Sequence, residues 1–72
     1  MAELGQLQEA VAEYEAALKD DILTRSAELH NDLGVALARL GRVEAATAEF
    51  RMSLRLDPAF EAAKANLAKS VR

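Results

Sequence analysis

Apolar residues recur along the chain at the three- and four-residue spacing of helices, in four blocks separated by short breaks. Leu7, Ala10, Val11, Tyr14 and Leu18 share one face of a helix predicted over Leu7–Lys19. Leu29, Leu33, Ala36, Leu37 and Leu40 form the stripe of a second, over Ala27–Leu40, with Ser26 or Thr24 as its cap and Gly41 just past its end. A third, over Val43–Leu56, is expected to bury Val43, Ala46, Phe50 and Leu54. Asp57-Pro58 stops it, since a residue before proline avoids helical geometry. The same pair is expected to open the fourth helix, Asp57 as cap and Pro58 in the first turn. That helix runs to the chain end on Phe60, Ala63, Leu67 and Val71. The connection Asp20–Ser26 holds no glycine or proline, so fusion of the first two helices, with exchange of partners, stays open at this point.

The blocks repeat. Leu4–Asp21 returns as Leu40–Asp57 with leucine, glycine, alanine, alanine, glutamate, leucine and aspartate kept in place, and with Tyr14 matched by Phe50. Seven identities in eighteen aligned positions far exceed the roughly one expected by chance, so helices one and three are of one kind. A fainter echo relates Leu29, Leu33, Gly34 and Leu37 to Ala63, Leu67, Ala68 and Val71, and pairs helices two and four. Small residues carry information here. Gly34 costs roughly 1 kcal/mol in a helix interior, yet opposite Ala46 it would let two helix axes approach closely, with Phe50 and Leu37 filling the flanks.

Composition supports an all-α reading and removes several chemistries. Good helix formers dominate the 72 residues, which include three glycines, one proline, no cysteine and one histidine. Thiolate chemistry and most zinc sites are thereby excluded. His30 has no carboxylate or second histidine one helical turn away, so it reads as a packing residue, and no metal or cofactor is expected. No phosphate-binding glycine loop and no activated serine stands in the chain, which is not expected to be an enzyme. A net charge of −3 with interspersed signs offers no basic face for nucleic acid. No apolar stretch approaches the ~20 residues of a membrane span, nor is there a signal segment, which makes cytoplasm the default expectation.

Ala27–Phe60 resembles one complete tetratricopeptide repeat, carried by Asn31-Asp32-Leu33-Gly34, Leu37, Gly41, Ala46, Phe50, Leu54 and Asp57-Pro58. Residues 1–24 resemble the second helix of a preceding repeat, and residues 61–72 the first helix of a following one, with Asn66-Leu67-Ala68 in the motif position. The resemblance implies antiparallel helix-turn-helix units in a right-handed solenoid, here a fragment of about four helices in a single domain, 1–72. It also implies a concave face that binds a peptide or a helix. The face would consist of Glu28, Asn31, Asp32, Val35, Ala38 and Arg39 on helix two, and Ala62, Ala65, Asn66, Lys69 and Arg72 on helix four. The expected function is therefore a protein-interaction scaffold for a protein or peptide partner. Met1–Leu4 would be the tail of a further first-type helix. With half repeats at both ends, the alternative is a homodimer or homo-oligomer that completes its repeats between chains.

Overall fold

The computed structural model describes residues 2–70, and the side-chain surroundings of residues 5–70. Met1, Val71 and Arg72 lie outside the described residues, and so do the roles expected for them. Four α-helices follow one another: α1 Ala2–Ala17, α2 Ala27–Arg39, α3 Val43–Leu56 and α4 Glu61–Ser70, with a 3-10 turn over Leu23–Arg25 between the first two. α1 starts five residues before the expected Leu7, so Ala2–Leu4 continue this helix instead of ending another. Gly5 sits inside it, in open space. The helical run of alanine, glutamine and glutamate around Gly5 outweighs one glycine's cost.

The connection after α1 is folded, not helical throughout. Asp20 Oδ1 accepts from the Ile22 and Leu23 amides at 2.8 and 3.2 Å, which turns the chain. Ser26 Oγ then accepts the Leu29 amide at 3.1 Å and opens α2 as its cap. The first two helices are thus separate in this structure. What the spacing of glycine and proline left open, an aspartate and a serine decide.

α2 and α3 form the central hairpin. Gly41 adopts φ of +82°, the left-handed conformation in which glycine has no Cβ penalty. Around it the Arg42 amide donates to the Leu37 carbonyl at 2.9 Å and the Gly41 amide to that of Ala38 at 3.0 Å. This is the six-to-one and five-to-two pairing that closes many helices. Residues equally far from this turn then face each other. Ala46 is fully buried, Phe50 is 2% exposed, and the Phe50 ring lies over Gly34. The close approach expected at Gly34 is real, although what occupies the space is the aromatic ring itself. The core consists of Val11, Leu33, Ala36, Leu37, Ala46 and Phe50, with Leu7, Tyr14, Leu18, Val35, Leu40 and Leu67 packed around it. One stripe position fails: Val43, expected buried, is 47% exposed. It stands at the first position of α3, at the edge of a cleft flanked by α2 and α4.

His30 does more than pack. Its Nδ1 is 2.7 Å from Glu49 Oε1 on α3, and its Nε2 is 2.8 Å from the Thr24 carbonyl in the connection. Both ring nitrogens thus have a polar oxygen within hydrogen-bond distance. Ser53, fully buried, adds a second polar link by donating to the Ala27 carbonyl at 2.7 Å. His30 therefore pins the connection and α3 to the start of α2. His30→Ala is expected to cost about 1–3 kcal/mol, the range for losing a buried hydrogen-bonding partner. Urea midpoints of His30→Ala, Glu49→Ala and the double variant check this: the double should lose less than the sum of the singles.

Asp57-Pro58 stops α3 as expected but does not open α4. The Phe60 amide donates to the Asp57 carbonyl at 3.1 Å, and the Ala59 amide to Asp57 Oδ1 at 3.2 Å. The aspartate thus caps a proline turn, and the helix begins after it, at Glu61. α4 packs on α3 through the buried Ala63 and through Thr47, whose Oγ1 is 3.0 Å from Ser70 Oγ. It also reaches α2, where Asn66 Nδ2 donates to Asn31 Oδ1 at 3.0 Å. The four helices make a slab of 35 × 32 × 16 Å, too thin to hide its long side chains fully.

Candidate functional site

Eight residues stand out from the sequence as a peptide-binding face: Glu28, Asn31, Asp32, Val35, Arg39, Ala62, Asn66 and Lys69. Helical periodicity puts Glu28, Asp32, Val35 and Arg39 on one side of α2, away from Leu33 and Leu37, which enter the core, while the family resemblance implies the other four. α4 lies beside α2 and runs in the same direction. Asn31 meets Asn66, and one to two turns further on Val35, Ala38 and Arg39 meet Asn66, Lys69 and Ser70 across a cleft of about 450 Å³. Phe50 and Val43 from α3 complete its lining.

Four of the eight residues, Val35, Arg39, Asn66 and Lys69, line this cleft together. Asp32 lines a second, smaller cleft of about 240 Å³ between α1 and α2, with Leu7, Ala10, Tyr14, Val35, Ala36 and Arg39. Val35 and Arg39 belong to both, so they form the ridge between the clefts. Glu28 and Ala62 are exposed and line neither. Asn31 is 6% exposed, and its side-chain oxygen is taken by Asn66. It is a rung between the two helices, which fixes the spacing of the cleft walls. Phe50 and Val43 are lining residues that helical-face reasoning on α2 and α4 does not reach. The repeat register contains that signal, because the close approach at Gly34 brings the third helix to the floor between the other two.

Charge is distributed along the face, not scattered. Asp32 has its carboxyl held above the usual 3.8, first by partial burial and then by repulsion from Glu28. The folded chain thus holds this proton more tightly than the unfolded one. Its contribution to stability is largest at pH below 3.8 and declines as pH rises through the raised value, leaving the carboxylate mildly unfavourable at neutrality. Asp32→Asn is expected to be at least as stable as the parent at pH 7, with the difference vanishing in acid. Melting curves of the two proteins from pH 3 to 7 check the sign. At the other end of the face, Arg39 and Lys69 occupy the last turns of α2 and α4, both exposed. Neither has an ion-pair partner among the described residues.

Groups of histidine and carboxylate residues able to hold a metal do not occur among the described residues. No described helix is long and apolar enough to cross a membrane. The family model for the tetratricopeptide repeat matches residues 2–59. No curated protein and no solved structure matches the chain significantly. Repeats of this family serve generally as protein-interaction modules and are typically not enzymes. The match takes in α1, the folded connection, and the whole α2–α3 hairpin with its Gly34–Phe50 contact, and the chain belongs to the tetratricopeptide repeat family.

Proposed function

We propose that the chain is a protein-interaction module that holds a peptide segment on the face formed by α2 and α4. One observation supports the reading: Val35, Arg39, Asn66 and Lys69, groove positions that the family resemblance implies, line a single cleft of about 450 Å³ with Phe50 below them. An apolar floor with a few convergent polar groups is what a recognition cleft needs, since the floor contributes burial and the polar groups fix orientation. Glu28, Asp32 and Ala62 extend the face beyond the cleft, and Asn31 holds its walls in register.

Peptides selected from a random library on the immobilised chain test this. Arg39→Glu and Lys69→Glu are each expected to weaken the selected peptides roughly tenfold, about 1.4 kcal/mol. Arg55→Glu, exposed on α3, serves as the matched charge change away from the face. Equal capture by all three variants would place the binding elsewhere.

Self-assembly is the second reading, and a separate observation favours it. Met52 and Leu56 stand one turn apart on α3 at 38% and 39% exposure, and Ile22 in the connection is 81% exposed. Apolar surface of this kind suits contact with a second copy. Sedimentation over a hundredfold concentration range decides: a mass that rises with concentration and returns to the monomer in Met52→Lys supports it, and a constant monomer mass ends it.

A further inference from the structure

The internal repeat makes each helix a measure of its counterpart, and two faces are less covered than their counterparts. On α3 the side turned to α2 carries Ala46, Glu49, Phe50 and Ser53. Ala46 and Ser53 are fully buried, the Phe50 ring lies over Gly34, and Glu49 meets His30. Thirty-six residues earlier the same places on α1 are held by Ala10, Glu13, Tyr14 and Ala17. There the glutamate is exposed and the other three are only half-buried. α4 has the complementary gap. Ala27, His30 and Gly34 are residues of α2 that meet α3. Thirty-four residues on, α4 has Glu61, Lys64 and Ala68, which share one helix face and are all exposed.

We infer that α4 of one copy docks on this open side of α1 in another, completing a helix hairpin between chains. The inference rests on the self-assembly reading for its premise that the partner is a second copy, and puts the contact on a surface apart from Met52 and Leu56. Charge complementarity favours this occupant. Where His30 Nδ1 stands 2.7 Å from Glu49 within the chain, the interchain hairpin sets Lys64 opposite Glu13, a cation against a carboxylate. Lys64 is available for that role, because its ion pair with Glu61 is exposed, 3.4 Å long and of a kind that contributes little. Side-chain size matches as well. Ala68 comes to the place of Gly34, against Tyr14 at that of Phe50. Its methyl holds the ring further off than Gly34 holds Phe50, and Ala17 lacks the hydroxyl with which Ser53 reaches the Ala27 carbonyl. The interchain hairpin is therefore looser than α2–α3, and its formation depends on concentration. Its two surfaces differ, so copies add head to tail, in series or in a ring.

Sedimentation of the full chain over a hundredfold concentration range tests it, at low salt where exposed charges are least screened. Three substitutions are compared with the parent: Ala68→Glu, Lys64→Glu and Glu13→Lys. All three positions are exposed, so the variants keep their helicity, which circular dichroism verifies. The parent's mass is expected to rise with concentration. Ala68→Glu, which brings bulk and a like charge against Tyr14 and Glu13, stays monomeric. Lys64→Glu and Glu13→Lys each need about fivefold more protein to associate. An equal mixture of those two returns to the parent's level, because the reversed charges pair across chains. Met52→Lys associates as the parent does. Single reversals that associate like the parent, a mixture no better than either alone, or an Ala68→Glu protein that still assembles overturns this inference. Any of these together with a monomeric Met52→Lys leaves the self-assembly reading standing without it. A constant monomer mass in the parent overturns both.

Discussion

Replacing Phe50 with alanine is expected to leave this chain largely unfolded in water. The ring is 2% exposed, sits over Gly34, and closes the cleft floor between α2 and α4. Truncating a buried phenylalanine costs about 3–5 kcal/mol. A core of this size rarely supplies more than about 3–5 kcal/mol in total. The two figures coincide, so one substitution is comparable to the whole stability. Urea titration followed by circular dichroism measures it, with two reference variants. Tyr14→Ala, at the half-buried matching place in α1, should lose less than half as much. Val43→Ala, at a half-exposed site, should stay within about 0.5 kcal/mol of the parent. A Phe50→Ala protein that keeps a cooperative transition near the parent midpoint would contradict the packing described above.

The second large effect is a reversal of sign at Gly34. Alanine for a mid-helix glycine ordinarily stabilises by roughly 1 kcal/mol. A Cβ at Gly34 would lie 2.5, 2.7 and 3.0 Å from three atoms of the Phe50 ring, well inside contact distance. That ring is buried between two helices and cannot swing away without opening the core. Gly34→Ala is therefore expected to destabilise, and Gly34→Leu to cost about 3 kcal/mol, the upper part of the usual overpacking range. Phe50→Leu in the Gly34→Ala background should recover part of the loss, so the two changes are not additive. A higher midpoint for Gly34→Ala, with Phe50→Leu additive to it, would remove the close contact from the account.

Much of this fold is legible in the sequence because its signals are local. Periodicity of 3.6 locates the helices, Gly41 and Ser26 mark their ends, and the Leu4/Leu40 repeat pairs the helices by kind. What periodicity misses is decided by turns and by register. Asp57-Pro58 reads as a helix start by the usual capping rule, yet the aspartate is consumed by its own proline turn and α4 waits until Glu61. Val43 has the spacing of a core residue, but its place at the start of α3 leaves it uncovered. His30 has no carboxylate one helical turn away in the sequence. Its carboxylate, Glu49, comes from the opposite arm of the hairpin, nineteen residues on. The α2–α3 register that sets Gly34 under Phe50 also sets His30 near Glu49 and Ala27 near Ser53. The candidate face divides in the same way. The face positions on α2 follow from helical spacing and those on α4 from the repeat resemblance, whereas the Asn31–Asn66 rung and the Phe50 floor depend on how the helices are spaced.

The central claim is that a polypeptide partner sits on the α2–α4 face. Amide hydrogen exchange of the chain with and without a library-selected peptide tests it most directly, because it reports on every segment at once. The account predicts slowed exchange in the later turns of α2 and in α4, around Val35, Arg39, Asn66 and Lys69, with the outer side of α3 near Met52 and Leu56 unchanged. Protection confined to Met52 and Leu56, with α2 and α4 exchanging as in the free chain, would contradict it.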